Sequence, residues 1–277
     1  MAITGTGTQA DPYVVTTWDE LLSVSDTDGV YIDLPDNAVY DMNDFYPEGI
    51  AETIQLRGFI NGNGATIKNA AYRGGACAFK MSGNSNYGSI KNLNFANFRL
   101  QATYTGASLL GTDNGEYSGR AFELCRFSGR IEVLSGDYCA ISRGGYQAEH
   151  YRCSYNIEAI GQTSIDTGNY GAISRYCRIE INNVGGQYPF YVSPDNSYIT
   201  GHVGSLYMIR VDSRGAYESV MDATVETRIG METGTPIKVL VNTDKYSGTL
   251  PSGYLGCTTA QLRDAAYLHS IGFPVQT

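Results

Sequence analysis

The chain has 277 residues, room for one or two domains, and no change of composition or proline-rich linker divides it, so one elongated domain is expected. A formal net charge of −9 with only 19 basic residues, scattered along the chain, repels phosphate backbones and argues against a nucleic-acid partner. Charged residues are 17%, while 33 glycines and 22 tyrosines against 9 phenylalanines favour strands and tight corners over helices.

The N-terminal Met1-Ala2-Ile3-Thr4-Gly5 has no basic-then-apolar leader, and no stretch approaches the ~20 consecutive apolar residues of a membrane span, so synthesis in a cytosol without membrane insertion is expected. Gly5 to Val15 reads as a turn-rich entry and a short strand, with Asp11-Pro12 at the turn. Thr17-Trp18-Asp19-Glu20 is a capping box: Thr17 accepts from the backbone three residues on, Glu20 reaches back, and Leu21 and Leu22 supply the apolar face. The helix it starts carries the single tryptophan and is expected to lid an end whose strand edges would otherwise be exposed. Val30 to Met42 alternates as two strands around Pro35-Asp36-Asn37, a first incomplete turn. From Gly58 to Ile67, Asn-Gly corners between apolar strands fit the bends of a narrow coil. Ile67-Lys68-Asn69 returns as Ile90-Lys91-Asn92 after 23 residues, and asparagines at recurring corners are expected to stack between turns.

Between Tyr117 and Val184 the chain repeats itself. Tyr138-Cys139-Ala140-Ile141-Ser142-Arg143 returns 32 residues later as Tyr170-Gly171-Ala172-Ile173-Ser174-Arg175, with five of six residues identical. Ile131-Glu132-Val133, Ile157-Glu158-Ala159 and Ile179-Glu180-Ile181 stand 26 and 22 residues apart, each preceded by a cysteine, Cys125, Cys153 or Cys177. The step of 32 exceeds the 24 between Cys153 and Cys177, which places an insertion of 8 residues near Gly144 to Tyr151. A period of about 20 to 30 residues, built from alternating strands and glycine-rich corners, specifies a solenoid of strands. The expected fold is all-β, a single-stranded right-handed parallel β-helix with capping helices at both ends. Isoleucines point inward, glutamates form an outward ladder and the cysteines form an interior row.

Gly106 to Gly119 and Gly185 to Gly204 read as rungs with longer excursions, and Ser219 to Arg228 as a further rung. Thr258-Thr259-Ala260-Gln261 opens a closing helix with a second capping box, Leu262, Ala265, Ala266, Leu268 and Ile271 form its apolar side, and Gly272 and Pro274 stop it. The expected organisation is a cap and first turn over 1–53, rungs over 54–241 and a C-terminal cap over 242–277. That gives about seven to nine turns, roughly 40 Å long at ~4.8 Å per turn.

Six cysteines could pair, but a single interior row is better explained by free, packed thiols than by bridges. No metal-ligand spacing is present, Gly62-Asn63-Gly64 is a corner rather than a nucleotide loop, and no nucleophile elbow or Ser-His-Asp pattern is visible. No metal and no cofactor are therefore expected, and a non-enzymatic role is favoured. In a hydrolase the carboxylates would come from Glu132, Glu158 and Glu180, because adjacent rungs ~4.8 Å apart and alternate rungs ~9.6 Å apart bracket the separations glycosidases use. The competing reading is a solvated row offset by Arg126, Arg130, Arg152 and Arg178. Candidate binding residues are Tyr146 and Tyr151, in the insertion, and Tyr188 and Tyr191, in the excursion from Gly185 to Ser197, since an amphipathic ring stacks on a sugar or a partner chain.

Gly5-Thr6-Gly7-Thr8 with Asp11-Pro12-Tyr13-Val14-Val15 and Trp18-Asp19-Glu20-Leu21, then Ile60-Asn61-Gly62-Asn63-Gly64, then Ile90-Lys91-Asn92-Leu93-Asn94-Phe95 resemble the opening of pectate-lyase-like β-helices of bacteriophage virions and bacterial surfaces. Thr259-Ala260-Gln261-Leu262-Arg263-Asp264-Ala265 to Ile271-Gly272-Phe273-Pro274-Val275 resembles their ending. The resemblance implies a virion location after synthesis in the host cytoplasm, as a capsid decoration, head fibre, tail fibre or spike. It also implies other virion proteins as partners, a homo-oligomer such as a trimer, and a host surface glycan as ligand. The alternative it leaves open is a depolymerase of host surface polysaccharide.

Overall fold

The computed structural model describes residues 3–82, 86–103, 106–112, 119–135, 138–143, 148–161, 163–166, 173–175, 177–184, 190–195, 197–202, 206–210, 215–219, 227–230, 238–250 and 254–273. The fold is a parallel β-solenoid in which the chain visits three faces in a fixed order on each turn. The first face carries the short strands Tyr31–Asp33, Phe59–Asn61, Ser89–Lys91, Gly119–Glu123, Ala148–Tyr151 and Ile173–Arg175, each parallel to the next. The second carries Val39–Asp41, Thr66–Lys68, Asn94–Ala102, Arg126–Val133, Ser154–Ile160, Arg178–Val184 and Ser197–His202. The third carries Ile54–Gln55, Cys77–Met81, Ala107–Thr112, Cys139–Arg143 and Thr163–Asp166.

Apolar side chains turned inward at recurring positions explain why these segments coil. On the second face Phe95, Phe98, Phe127, Ile131, Tyr155, Ile157 and Ile179 are buried, while the residues between them face out. Phe95, Phe127 and Tyr155 stack with centroids 5.4 and 5.1 Å apart and planes only 1° and 8° from parallel, and Phe122 meets Phe127 edge-on at 5.6 Å. Each such ring contributes about 1.5–3 kcal/mol by leaving water. The expected thiol row is present: Ala65, Leu93, Cys125, Cys153 and Cys177 follow one another at the corner between the first and second faces, all buried. All six cysteines are free, and burial pushes the Cys125 and Cys153 thiols well up, which keeps them protonated and apolar in character.

The register departs from the sequence reading in three places. The near-identical hexapeptides do not stack: Cys139–Arg143 lies on the third face against Thr163–Asp166, whereas Ile173–Arg175 lies on the first face against Glu149 to Tyr151. On the third face Cys139 to Ser142 are all buried, so the motif carries no inward-outward pattern that would assign it to one face, and local similarity does not fix which face it occupies. Ala148–Tyr151 is accordingly a regular rung strand and not part of an insertion. Likewise Ile67 pairs with Phe95 on the second face while Ile90 pairs with Ile60 on the first, so Asn69 is equivalent to Asn97 and not to Asn92. Asparagine stacking does occur, between Asn69 and Asn97.

Parallel pairing begins at Tyr13, opposite Ile32, earlier than expected; before 241 antiparallel strands interrupt it, and it resumes where Lys238–Asn242 pairs with Tyr254–Cys257. Phe190–Asp195 pairs at one end with Thr163 and Ser164 and at the other with Ile173 to Arg175, so the corner between third and first faces disappears there. Leu206–Arg210 then pairs antiparallel with Gly215–Ser219, and Thr227–Gly230 pairs antiparallel with both Ser197 to Ile199 and Lys238–Asn242. Of the further rung expected from Ser219 to Arg228, Ser219, Thr227 and Arg228 pair antiparallel, and 220–226 lie outside the described residues.

Both expected caps are present. Helix α1, Trp18–Ser25, has the full Thr17–Glu20 capping box and buries Trp18 and Leu21 against the first rungs. A one-turn helix α2, Met42–Phe45, follows with Asp41 as its cap. At the other end the Thr258–Gln261 capping box starts α3, Thr259–Arg263, but a second helix α4, Ala265–Ser270, replaces the single helix expected. Asp264 accepts from the Ala266 and Tyr267 amides and so ends one helix while starting the next. Leu262, Leu268 and Phe273 are buried with Leu240 and Cys257, while Ala265 and Ala266 are exposed.

Two features carry measurable cost. The corner residue ahead of the thiol row sits in the left-handed region in successive turns, as Asn92 (φ 52°), Leu124 (φ 55°) and Arg152 (φ 52°). Only asparagine tolerates this well, and Leu124 is 41% exposed, so little packing offsets its strain. Leu124→Asn is expected to raise stability by about 0.5–1 kcal/mol in urea unfolding; a loss would show that the leucine side chain packs more than its exposure suggests. Within the coil, His150 is fully buried, meets the Ser142 hydroxyl at 3.0 Å through Nε2 and bonds the Tyr155 hydroxyl through Nδ1. Burial lowers its pKa to about 3. An unfolded histidine protonates below about 6.5, so stability is full above that pH and falls, by at most about 1.4 kcal/mol per unit, as pH drops from 6.5 toward 3. Urea unfolding at pH 7.5, 6 and 4.5 should show this slope for the native chain and a flatter one for His150→Gln.

Candidate functional site

On the second face the chain bends at its middle, and the bend makes an outer groove of about 700 Å³ lined by Asn43, Asn69, Asn97, Phe98, Arg99, Ser128, Gly129, Arg130, Asn156 and Glu158. Asn69 and Asn97 turn the corner with φ of 61° and 51°, and in the next rung the bend tightens by one residue, so that Phe98 stands opposite Gly129. A Cβ at Gly129 would lie 2.3 Å from the Phe98 carbonyl oxygen and 2.7 Å from its ring, so only glycine allows this approach.

One wall is a column of amides. Asn97 Nδ2 donates to Asn69 Oδ1 (2.6 Å), and Asn69 Nδ2 donates to Asp41 Oδ1 (2.8 Å). Asp41 is further held by Lys68 (2.9 Å) and the Asn43 amide (3.1 Å); the Asn69 bond first, then Lys68, keeps its carboxyl below the usual range. The column ends in an amide whose oxygen has no donor among the described residues, since the bonds of Asn97 begin at its nitrogen. Ser128 and Asn156 continue this wall on the next two rungs.

The opposite wall is charged. Arg99, Arg130 and Glu158 stand directly opposite one another on successive rungs. Arg130 reaches Glu132 at 3.4 Å and Glu158 at 3.4 Å, and its Nε is buried with no hydrogen-bond partner among the described residues. Gln101 donates to Glu132 at 3.0 Å, and this bond, aided by Arg130 and Arg99, holds the Glu132 carboxyl below its ordinary value. Arg99 itself is exposed and forms neither ion pair nor hydrogen bond among the described residues.

The expected glutamate ladder does not form. Glu158 lies opposite Arg130, Glu132 opposite Ile160, and Glu180 opposite Asn156 on the far side of the bend. The three triplets start at different distances from the corner cysteines, so equivalent cysteines leave the glutamates out of step. Glu132 and Glu158 instead converge on one guanidinium. A glycosidase acid needs a raised carboxyl pKa, whereas that of Glu132 is lowered.

Of the expected binding tyrosines, Tyr151 is half-buried on the first face, with the Arg120 guanidinium 3.8 Å from its ring centroid and that of Arg152 at 5.3 Å. Tyr191 belongs to the rung strand Phe190–Asp195, in register with Ser164 and Tyr207. Tyr146 and Tyr188 lie outside the described residues. Tyr151, on the first face, and Tyr191, paired with the third, are not brought together with the glutamates of the second face. The sequence reading passed over Asn97, Arg99 and Asn156, although Asp41, Asn69 and Asn97 recur at a strict step of 28 residues, a legible signal of one column.

Comparison of the chain with protein-family models, curated proteins and solved structures finds no match. The likeness to virion coils therefore rests on the residues quoted for it. Gln101→Ala is expected to return the Glu132 carboxyl upward toward the ordinary glutamate value in a carboxyl-carbon NMR titration; an unchanged value would assign the lowering to the arginines alone.

Proposed function

We propose that this chain is a non-catalytic structural and attachment component of a phage virion, a rigid coil that joins other virion proteins, assembles with copies of itself and presents its outer faces to host surface glycans. The observation that carries the reading is the continuous three-faced ladder, capped at its first rung by Trp18 and Leu21. Such a rod holds outward side chains at fixed spacing and resists fraying, which suits a fibre or decoration. The virion setting draws its support from the resemblance of the opening and closing segments. Against a depolymerase stands the chemistry of the carboxylates, which share Arg130 rather than flank a reactive bond.

Immunogold labelling of purified particles with antibody to this chain should decorate the virion at a discrete location, and unlabelled particles would end the reading. Incubation of the purified chain with host surface polysaccharide should release no reducing ends and no unsaturated products. Release that Glu158→Gln abolishes would establish the depolymerase instead.

A further inference from the structure

We propose that the groove on the second face binds a hydroxyl-rich chain bearing anionic groups, with Arg99 as the residue that pairs with the anion. The inference rests on the attachment reading and names the chemistry of what is attached.

The groove crosses five successive strands, from the Asp41–Asn43 corner to Asn156 and Glu158, or about 19 Å along the coil at the ladder spacing. Its lining is amide, hydroxyl, guanidinium and carboxylate. Phe98, the one aromatic ring, is 2% exposed, so neither an apolar peptide nor a lipid finds a contact surface. Strands on both sides occupy the backbone donors and acceptors of Asn94–Ala102 and Arg126–Val133, so an extended peptide cannot add as a further strand. What remains is side-chain hydrogen bonding to a chain laid along the axis, with Asn97, Ser128 and Asn156 offering both donors and acceptors at rung spacing.

Charge selects among such chains. Arg99 and Arg130 face each other on neighbouring rungs, an arrangement unfavourable for like charges. Glu132 and Glu158 both contact Arg130, which leaves the exposed Arg99 fork without an acceptor among the described residues. A carboxylate or phosphate on the ligand supplies the missing acceptor in a bidentate pair. The net charge of −9 opposes densely charged polymers, so sparse anionic groups on a sugar or polyol backbone fit best.

Isothermal titration of the full chain with a uronic-acid oligosaccharide, a glycerol-phosphate oligomer and a neutral glucan oligomer tests this. At least one anionic oligomer should bind at least tenfold tighter than the neutral one, and which of the two does so identifies the anion. Arg99→Gln should weaken that binding by about ten- to a hundred-fold and reduce its salt dependence, and Asn156→Ala should weaken it without changing the salt dependence. Both side chains are exposed, so thermal unfolding should be unchanged in each variant. Binding that is equal for neutral and anionic oligomers, or that Arg99→Gln leaves intact, overturns the proposal, as does failure of all three oligomers to bind. Particle labelling is independent of the groove, so failure here with labelled particles removes the ligand while keeping the virion reading.

Discussion

Backbone hydrogen bonds between successive turns hold equivalent residues about 4.8 Å apart, and the rest of the molecule follows from that spacing. Every interior side chain must pack on its own counterpart above and below. Flat rings and small thiols meet this requirement, which is why Phe95, Phe127 and Tyr155 form one stack and Cys125, Cys153 and Cys177 another. The ladder also demands that each turn close through tight corners. Left-handed residues supply them, cheaply where the chain has asparagine and at a cost where it has Leu124 or Arg152.

The same column logic exposes a change of character along the interior. On the first face the inward residues run Ile32, Ile60, Ile90, Phe122, then His150 and Ser174. A fully buried imidazole is tolerated because Ser142 on the third face and Tyr155 on the second reach both of its ring nitrogens, a contact between all three faces at one level. Not far beyond this polar level the third and first faces merge through Phe190–Asp195, and antiparallel pairing takes over. Core composition and topology therefore change within a short distance of each other along the coil.

Outside, the ladder brings residues distant in sequence into one polar groove. Asp41, Asn69 and Asn97 form a hydrogen-bonded column, and Arg130 is held between Glu132 and Glu158 from its own rung and the next. This arrangement ties both carboxylates to one guanidinium, while Arg99 on the same wall is exposed and makes no ion pair among the described residues.

The sequence by itself determined the elements: alternation set which side chains turn inward, capping boxes at Thr17 and Thr258 set where helices begin, and the recurring cysteines marked a true corner. It did not determine the register. The hexapeptides at 138 and 170 look equivalent because five of six residues match, although Cys139 to Ser142 are all buried on the third face, and the Ile-Glu triplets look equivalent because each sets an apolar beside a charged residue. Yet Glu132, Glu158 and Glu180 follow their cysteines by 7, 5 and 3 residues, and the cysteines, being buried, control the stacking. Which outward residues share a column, and therefore that Arg130 and not a second glutamate faces Glu158, was decided only when the hydrogen-bond ladder locked the turns together.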